Sequence, residues 1–238
     1  MNDEKKRPPS SFLLLASVWA VAKKDVQIEL RTRYALNSML LFAVTTAVMV
    51  SFRLGPLGVS RDARAVSTLA VLLWVAIFFA AMNGLSRTFV REEETRTVTL
   101  LRLSTPPLAV YLGKLLVNLG LLALLETLVT LLFVGLMNVR IAQPGLFALT
   151  LALGGFGLAG ATTIIAALVA KADGRSALFA VLAFPLLLPL LIIAVETTEI
   201  ALAGGGWPNA AAGLQVLAAY TLAQTVASLL LFERVWEA

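Results

Sequence analysis

The sequence contains no cysteine and no histidine. Disulfides, thiolate zinc sites, Cys/His dyads, imidazole general bases and imidazole haem ligands are therefore excluded, and chemistry that needs them must come from a partner. Charge is scarce as well: 14% of the 238 residues are Asp, Glu, Lys or Arg, against 59% hydrophobic. That balance does not suit an ordinary soluble domain and points to an integral membrane protein. The chain lacks a G-x-x-x-x-G-K-[ST] stretch, so it has no phosphate-binding loop and any ATP is hydrolysed elsewhere. No internal repeat is evident and the two halves do not align as an inverted repeat, which disfavours a secondary transporter.

What the sequence does have is long apolar runs. Six spans read as all-α transmembrane segments, at about 36–52, 65–85, 113–138, 146–170, 176–195 and 212–232, each near the ~20 residues that cross a hydrocarbon core about 30 Å thick. They leave no room for a second folded domain, so residues 1–238 form one transmembrane unit. Ahead of them, residues 10–33 place Leu15, Trp19, Ala22, Val26 and Leu30 at three- or four-residue spacing opposite Lys23, Lys24, Gln27 and Arg31. This pattern predicts an amphipathic helix lying in the membrane interface. A secretory signal is the competing reading, because Lys5, Lys6 and Arg7 precede the apolar run; the charged "KKDVQIELRTR" stands where the cleavage site belongs.

Lys and Arg set the orientation. Lys5, Lys6, Arg7, Lys23, Lys24, Arg31, Arg33, Arg87, Arg91, Arg96, Arg102, Lys114, Lys171, Arg175 and Arg234 fall on one side, fifteen of the nineteen. Arg53, Arg61, Arg64 and Arg140 fall on the other. The positive-inside rule puts the fifteen, and both termini, in the cytoplasm. The net charge of +5 then needs no nucleic acid, since basic juxtamembrane residues suit anionic headgroups.

Within the spans, Gly155, Gly157 and Gly160 of "GGFGLAG" spell G-x-G-x-x-G, yet they lie inside an apolar run rather than at a strand-to-helix turn. They read as close helix packing, with Gly155, Ala159 and Thr163 in a small-xxx-small row. Glu126 lies about 18 Å past Lys114 along a helix, deep in the bilayer, where an unpaired charge costs on the order of 2.5–3.5 kcal/mol. It shares an arc of about 120° with Asn118 and Thr130. That polar seam is either a pathway or gating contact, or a carboxyl hydrogen-bonded to a neighbouring helix. Pro185 and Pro189 predict a bend in the fifth span, fixed or hinged. Beyond Glu196 and Glu199, "IALAGGGWPNAAAG" reads as a half-inserted or interfacial element with Trp207 at headgroup depth, or as a plain loop.

The stretch "FVREEETRTVTLLRLSTPPLAVYLGK", residues 89–114, interrupts the apolar pattern. Glu92, Glu93 and Glu94 suit the positive end of a short helix over 92–103, and Arg102 suits its far end. Val98 and Leu101, with Leu100 and Leu103, make it apolar on one side. Ser104 or Thr105 then caps a new helix with Pro106 or Pro107 in its first turn. That helix runs on into the third span for about 50 Å, longer than the bilayer is thick, so its first turns protrude. A solvated loop with Arg/Glu pairs is the plain alternative.

The residues Phe89, Arg91, Glu92, Glu93, Glu94, Thr95, Thr97, Leu100, Leu101, Leu103, Ser104, Pro106, Tyr111, Leu112, Gly113 and Lys114, together with the interfacial helix and six spans, resemble a type-2 ABC exporter permease and most of all the CcmB family. Members of that family often carry Gly before the Thr and Ser-Pro without insertion; here Arg96 and "STPP" stand instead. The resemblance implies the permease subunit of a haem exporter for cytochrome c maturation, or of a complex that releases a haem-loaded chaperone. It implies a coupling helix at 92–103 that seats Glu92, Glu93, Glu94, Thr97, Leu100, Leu101, Arg102 and Leu103 on a separate ATPase resembling CcmA. Partners resembling CcmC and CcmD, a homodimer of this chain, ATP and Mg on the ATPase, and haem as cargo are implied in the same way. This chain would then have no catalytic residue, metal or cofactor of its own. An exporter of another amphipathic cargo, such as a lipid-linked glycan or a drug, and a non-transporting scaffold are the other readings.

Overall fold

Tyr34 begins the first of six helices long and apolar enough to cross a membrane, and these build an all-α integral membrane protein. The computed structural model describes residues 10–58, 63–170, 172 and 175–237. Lys5, Lys6, Arg7, Arg61 and Lys171, which entered the charge count, lie outside them. The helices, in chain order, are α1 (Ser10–Thr32), α2 (Tyr34–Gly58), α3 (Ala63–Leu85), α4 (Val90–Glu94), α5 (Val98–Ser104), α6 (Pro107–Met137), α7 (Pro144–Val169), α8 (Arg175–Ala203) and α9 (Trp207–Glu237).

Breaks fall where the backbone leaves right-handed space. Arg33 takes φ 52° between α1 and α2, and the Glu29 carboxylate accepts the Leu36 N–H at 2.9 Å, satisfying one of the free donors at the start of α2. Asn138, at φ 53°, closes α6, the left-handed end that Asn tolerates. Gly204 at φ +84° reverses the chain between α8 and α9. Residues 196–203 are therefore helix, and α9 starts at Trp207; the half-inserted element and the plain loop expected there are replaced by a three-residue turn. α8 is unbroken through Pro185 and Pro189. Between them the Leu186 carbonyl accepts the Tyr220 hydroxyl of α9, so a neighbouring helix supplies a donor where prolines thin the ladder.

α7 is the hub, packed by α3, α6, α8 and α9. Its sequence permits this because small residues let neighbours approach its backbone. A Cβ at Gly154 would fall 2.2 Å from the Trp74 ring of α3, and one at Gly157 would fall 2.9 Å from Leu190 of α8. Gly160 abuts Gln224 of α9. The G-x-G-x-x-G match is thus helix packing, as its place inside α7 requires. Trp74 is 1% exposed and donates its indole N–H to Thr198 Oγ1 of α8 at 2.8 Å, pinning α3, α7 and α8 together.

α1 lies along α6 and does not enter the bundle. Leu15, Trp19, Val26 and Leu30 remain uncovered by protein, whereas Ala22, expected on the same stripe, is buried beside Val21.

Candidate coupling site

Residues 86–106 join α3 to α6 in two short helices rather than the single helix expected over 92–103. Thr95 ends α4, and Arg96 swings to φ 55° before Thr97 opens α5. Left-handed backbone costs a residue with a Cβ about 1–2 kcal/mol, a cost that Arg96 bears and a glycine would not. Arg96→Gly is therefore expected to raise stability by up to about 1 kcal/mol, read as a higher midpoint of thermal unfolding. The start of α6 also differs from expectation: Pro106, not Ser104 or Thr105, is its N-cap, and Ser104 belongs to α5.

Glu92 was expected on the surface, and α4 turns it inward. It is 5% exposed, and its Oε1 accepts Lys114 Nζ at 2.7 Å and Lys24 Nζ at 3.0 Å. Lys114 also bonds Asp25 Oδ2 at 2.9 Å and the Thr88 carbonyl at 2.8 Å. Lys24 closes the ring on Asp25 Oδ1 at 3.0 Å. Lys114 is 1% exposed, and an ammonium that is out of water persists only with partners of this quality. Partial burial works against the Lys24 charge, and Asp25 and Glu92 more than offset it, holding its ammonium above the usual lysine range. The ring ties α1, α4 and the second turn of α6 into one block.

From this ring hydrogen bonds run into the membrane portion. Asn118, one turn beyond Lys114, donates to Thr88 Oγ1 at 3.1 Å and to Thr163 Oγ1 of α7 at 2.8 Å. Gly113 makes the arrangement possible, because a Cβ there would meet Val21 at 2.8 Å and the Val18 carbonyl at 3.0 Å. Gly113→Val is expected to loosen α1 from α6 by roughly 1–3 kcal/mol, seen as faster proteolysis within α1 while α6–α9 stay protected. Equal proteolysis rates would contradict the close approach.

The opposite side of the segment is apolar and open. Leu100 is 69% and Leu103 83% exposed, with Thr97 exposed beside them. Val98 and Leu101 face inward, half-buried against the core. Arg102 lays its guanidinium over the Trp236 ring at 5.4 Å, a cation–π contact that fastens α5 to the end of α9. Phe89, Phe232 and Trp236 stack beside it, with centroids 5.5–6.2 Å apart. Glu94 pairs with Arg87 at 3.2 Å, and Glu93 is half-buried. A cavity of about 350 Å³ lies between the segment and α1, walled by Arg87, Glu92 and Lys114 and floored by Val117, Asn118 and Leu121.

The expected polar seam faces two ways. Asn118 belongs to the network above. Glu126 is 7% exposed and packs against Gly155, where a Cβ would come within 2.4 Å of its Oε1. Neither Glu126 Oε1 nor Thr130 Oγ1 has a hydrogen-bond partner.

The sequence pattern of the protein family described as "CcmB protein" matches residues 16–237. The chain belongs to the CcmB family. A relative named "Heme exporter protein B", from Bradyrhizobium diazoefficiens, is 29% identical over 192 residues, covering 80% of this chain and 84% of the relative. The match to the CcmB family takes in everything from the second turn of α1 to the end of α9, so the ring, the two short helices and the seam all lie inside it.

Of the eight residues expected at the coupling surface, the structure gathers Thr97, Leu100 and Leu103 on one open face and sets Glu92, Leu101 and Arg102 against the bundle. Sequence reasoning missed Lys24, Asp25 and Thr88. A signal existed for Lys114, a lysine at the mouth of an apolar span beside a glycine. None existed for its partner Asp25, 89 positions away.

Proposed function

We propose that this chain is the permease subunit of an ATP-driven haem exporter of cytochrome c maturation, and that α5 is where a separate ATPase acts on it. The observation that carries the reading is the two-sidedness of residues 90–104: one side is locked to α1, α6 and α9, while Leu100 and Leu103 are left uncovered beside Thr97. Exposed leucines on a short helix next to charged side chains suit the groove of a partner protein. Motion imposed there passes through Glu92–Lys114 and Thr88–Asn118–Thr163 into α6 and α7.

Fifteen of nineteen basic residues support placing α4, α5 and both termini in the cytoplasm, within reach of such an ATPase. The uncovered stripe of α1 suits the lipid interface. The ATPase would resemble CcmA, and further membrane partners would resemble CcmC and CcmD; two copies of this chain serve two ATPases. ATP would drive either haem export or release of a haem-loaded chaperone, and haem flux in ATP-driven vesicles distinguishes these.

The double variant Leu100→Glu with Leu103→Glu is expected to abolish co-purification of the ATPase while permease levels in the membrane hold. Undiminished co-purification would overturn the assignment of α5.

A further inference from the structure

Glu126 is the one acidic or basic residue of α6 beyond Lys114, and α7 carries none at all. Charged residues on the other helices that pack against α6 are Lys23, Lys24, Asp25, Glu29 and Arg31 on α1, which packs at the Lys114 end, and Arg53 on α2, Arg64 on α3, and Glu233, Arg234 and Glu237 on α9, toward the ends of their helices. Among the described residues no salt bridge reaches Glu126, and its Oε1 has no hydrogen-bond donor. A carboxylate held this way, in the middle of a membrane helix, lacks the pairing that buried charge requires.

Thr130, one turn further along, sharpens the point. Thr127, Thr150, Thr162 and Thr163 all donate to the carbonyl four residues earlier on their own helices, the usual way a membrane helix satisfies a hydroxyl. Thr130 does not, and its buried hydroxyl is left over. Among the described residues it is the single polar one lining a cavity of about 10 Å³ beside Leu69, Phe133, Val139 and Leu202, room for one water at most, which the Thr130 hydroxyl alone would hold there. Leu69, Val139 and Leu202 also line a cavity of about 320 Å³ that contains Asn138 and Arg140. In the other direction Leu122, 1% exposed, lies between Glu126 and Asn118, the floor of the 350 Å³ cavity. The polar face of α6 is thus stepped toward the Asn138 end and plugged toward the Lys114 end.

One carboxyl and one hydroxyl are far too few oxygen ligands for a hard metal cation, and the adjoining space admits nothing larger than water. We propose that Glu126 is a proton-binding site of the membrane interior, loaded and unloaded through Thr130 from the Asn138 end and insulated from the Lys114 end by Leu122. On loading, hydronium entering from the cavity at Arg140 gives its proton, along water held at the Thr130 hydroxyl, to the Glu126 carboxylate, leaving a carboxylic acid and water. Unloading runs the same transfers in reverse, leaving a carboxylate and hydronium.

The test uses the permease alone in liposomes, without ATPase or haem, so its failure is separate from failure of the coupling assignment. Orientation is fixed by a single cysteine introduced at the exposed Arg96 of this cysteine-free chain. Infrared difference spectra are recorded while pH is changed on one face at a time with impermeant buffers. A protonated-carboxyl band is expected that disappears when pH rises on the Asn138 face, is lost in Glu126→Gln, and stops responding in Thr130→Val. If Glu126→Gln fails to insert, Glu126→Asp should shift the band instead. Leu122→Ala is expected to make the band respond to the Lys114 face as well. Absence of the band, a band indifferent to pH on both faces, or a wild-type band that follows only the Lys114 face overturns the proposal.

Discussion

Lys114→Met is expected to destabilise the protein by about 3 kcal/mol, and to uncouple α4 from α6 even in the molecules that fold. Removing one partner of a buried ion pair typically costs 3–5 kcal/mol, because the remaining charge is left without compensation. Here Glu92 keeps Lys24 at 3.0 Å, which argues for the lower end of that range. Asp25 likewise keeps Lys24, so both carboxylates compete for one ammonium. The Thr88 carbonyl loses its donor as well. Adding Glu92→Gln should recover part of the loss, since the double variant buries no unpaired charge on α4, and the recovered fraction measures the coupling of the two sites. Thermal unfolding in detergent reads the stability, and stimulation of the ATPase proposed as partner reads the coupling. Lys114→Met with unchanged unfolding would show that the ring contributes nothing. Arginine is not a substitute, because its planar fork cannot fill a site that accepts three bonds from one nitrogen.

Trp74→Ala should be of similar size, roughly 3 kcal/mol, by a different route. The ring fills the space between Gly154 and Thr198, at the junction of α3, α7 and α8. In a membrane the water-to-oil transfer contribution is missing, because the unfolded helices sit in lipid as apolar as the core. What is lost is packing: a tryptophan-sized void in a close-packed interior. Trp74→Phe separates the contributions. It keeps most of the volume and loses the indole bond, so it should cost about 1 kcal/mol or less. A phenylalanine variant as unstable as the alanine one would assign the effect to the hydrogen bond, and the account of α7 as a glycine-lined hub would fail.

Much of this architecture was legible in the residues because the bilayer leaves few options. Twenty apolar residues in a row must be helical and must span, so six segments could be marked, and a long helix underlies each of them. The glycines of α7 could be read as contact points, but not which side chain each would meet, since Trp74 and Gly154 are joined only by tertiary packing. The segment 89–114 was visible as charge in an apolar chain. Its inside and outside were not, because "EEE" gives three chemically identical side chains and only the position of Lys114 on α6 selects Glu92. The left-handed turn at Arg96 was hidden by an arginine where glycine would have announced it. The reversal at Gly204 was misread because α8 carries its helix eight residues past Val195, through Glu196 and Glu199, before stopping.

One consequence of the way α1 sits concerns height. Its outward stripe of Leu15, Trp19, Val26 and Leu30 is uncovered, while Lys24 and Asp25 on its other side grip Glu92 and Lys114. On the proposed reading α1 is a float bolted to the segment that meets the ATPase: the level at which that stripe would ride in the lipid surface is also the level at which Leu100 and Leu103 would be presented. Membrane thickness and headgroup charge would then become settings of the proposed stroke.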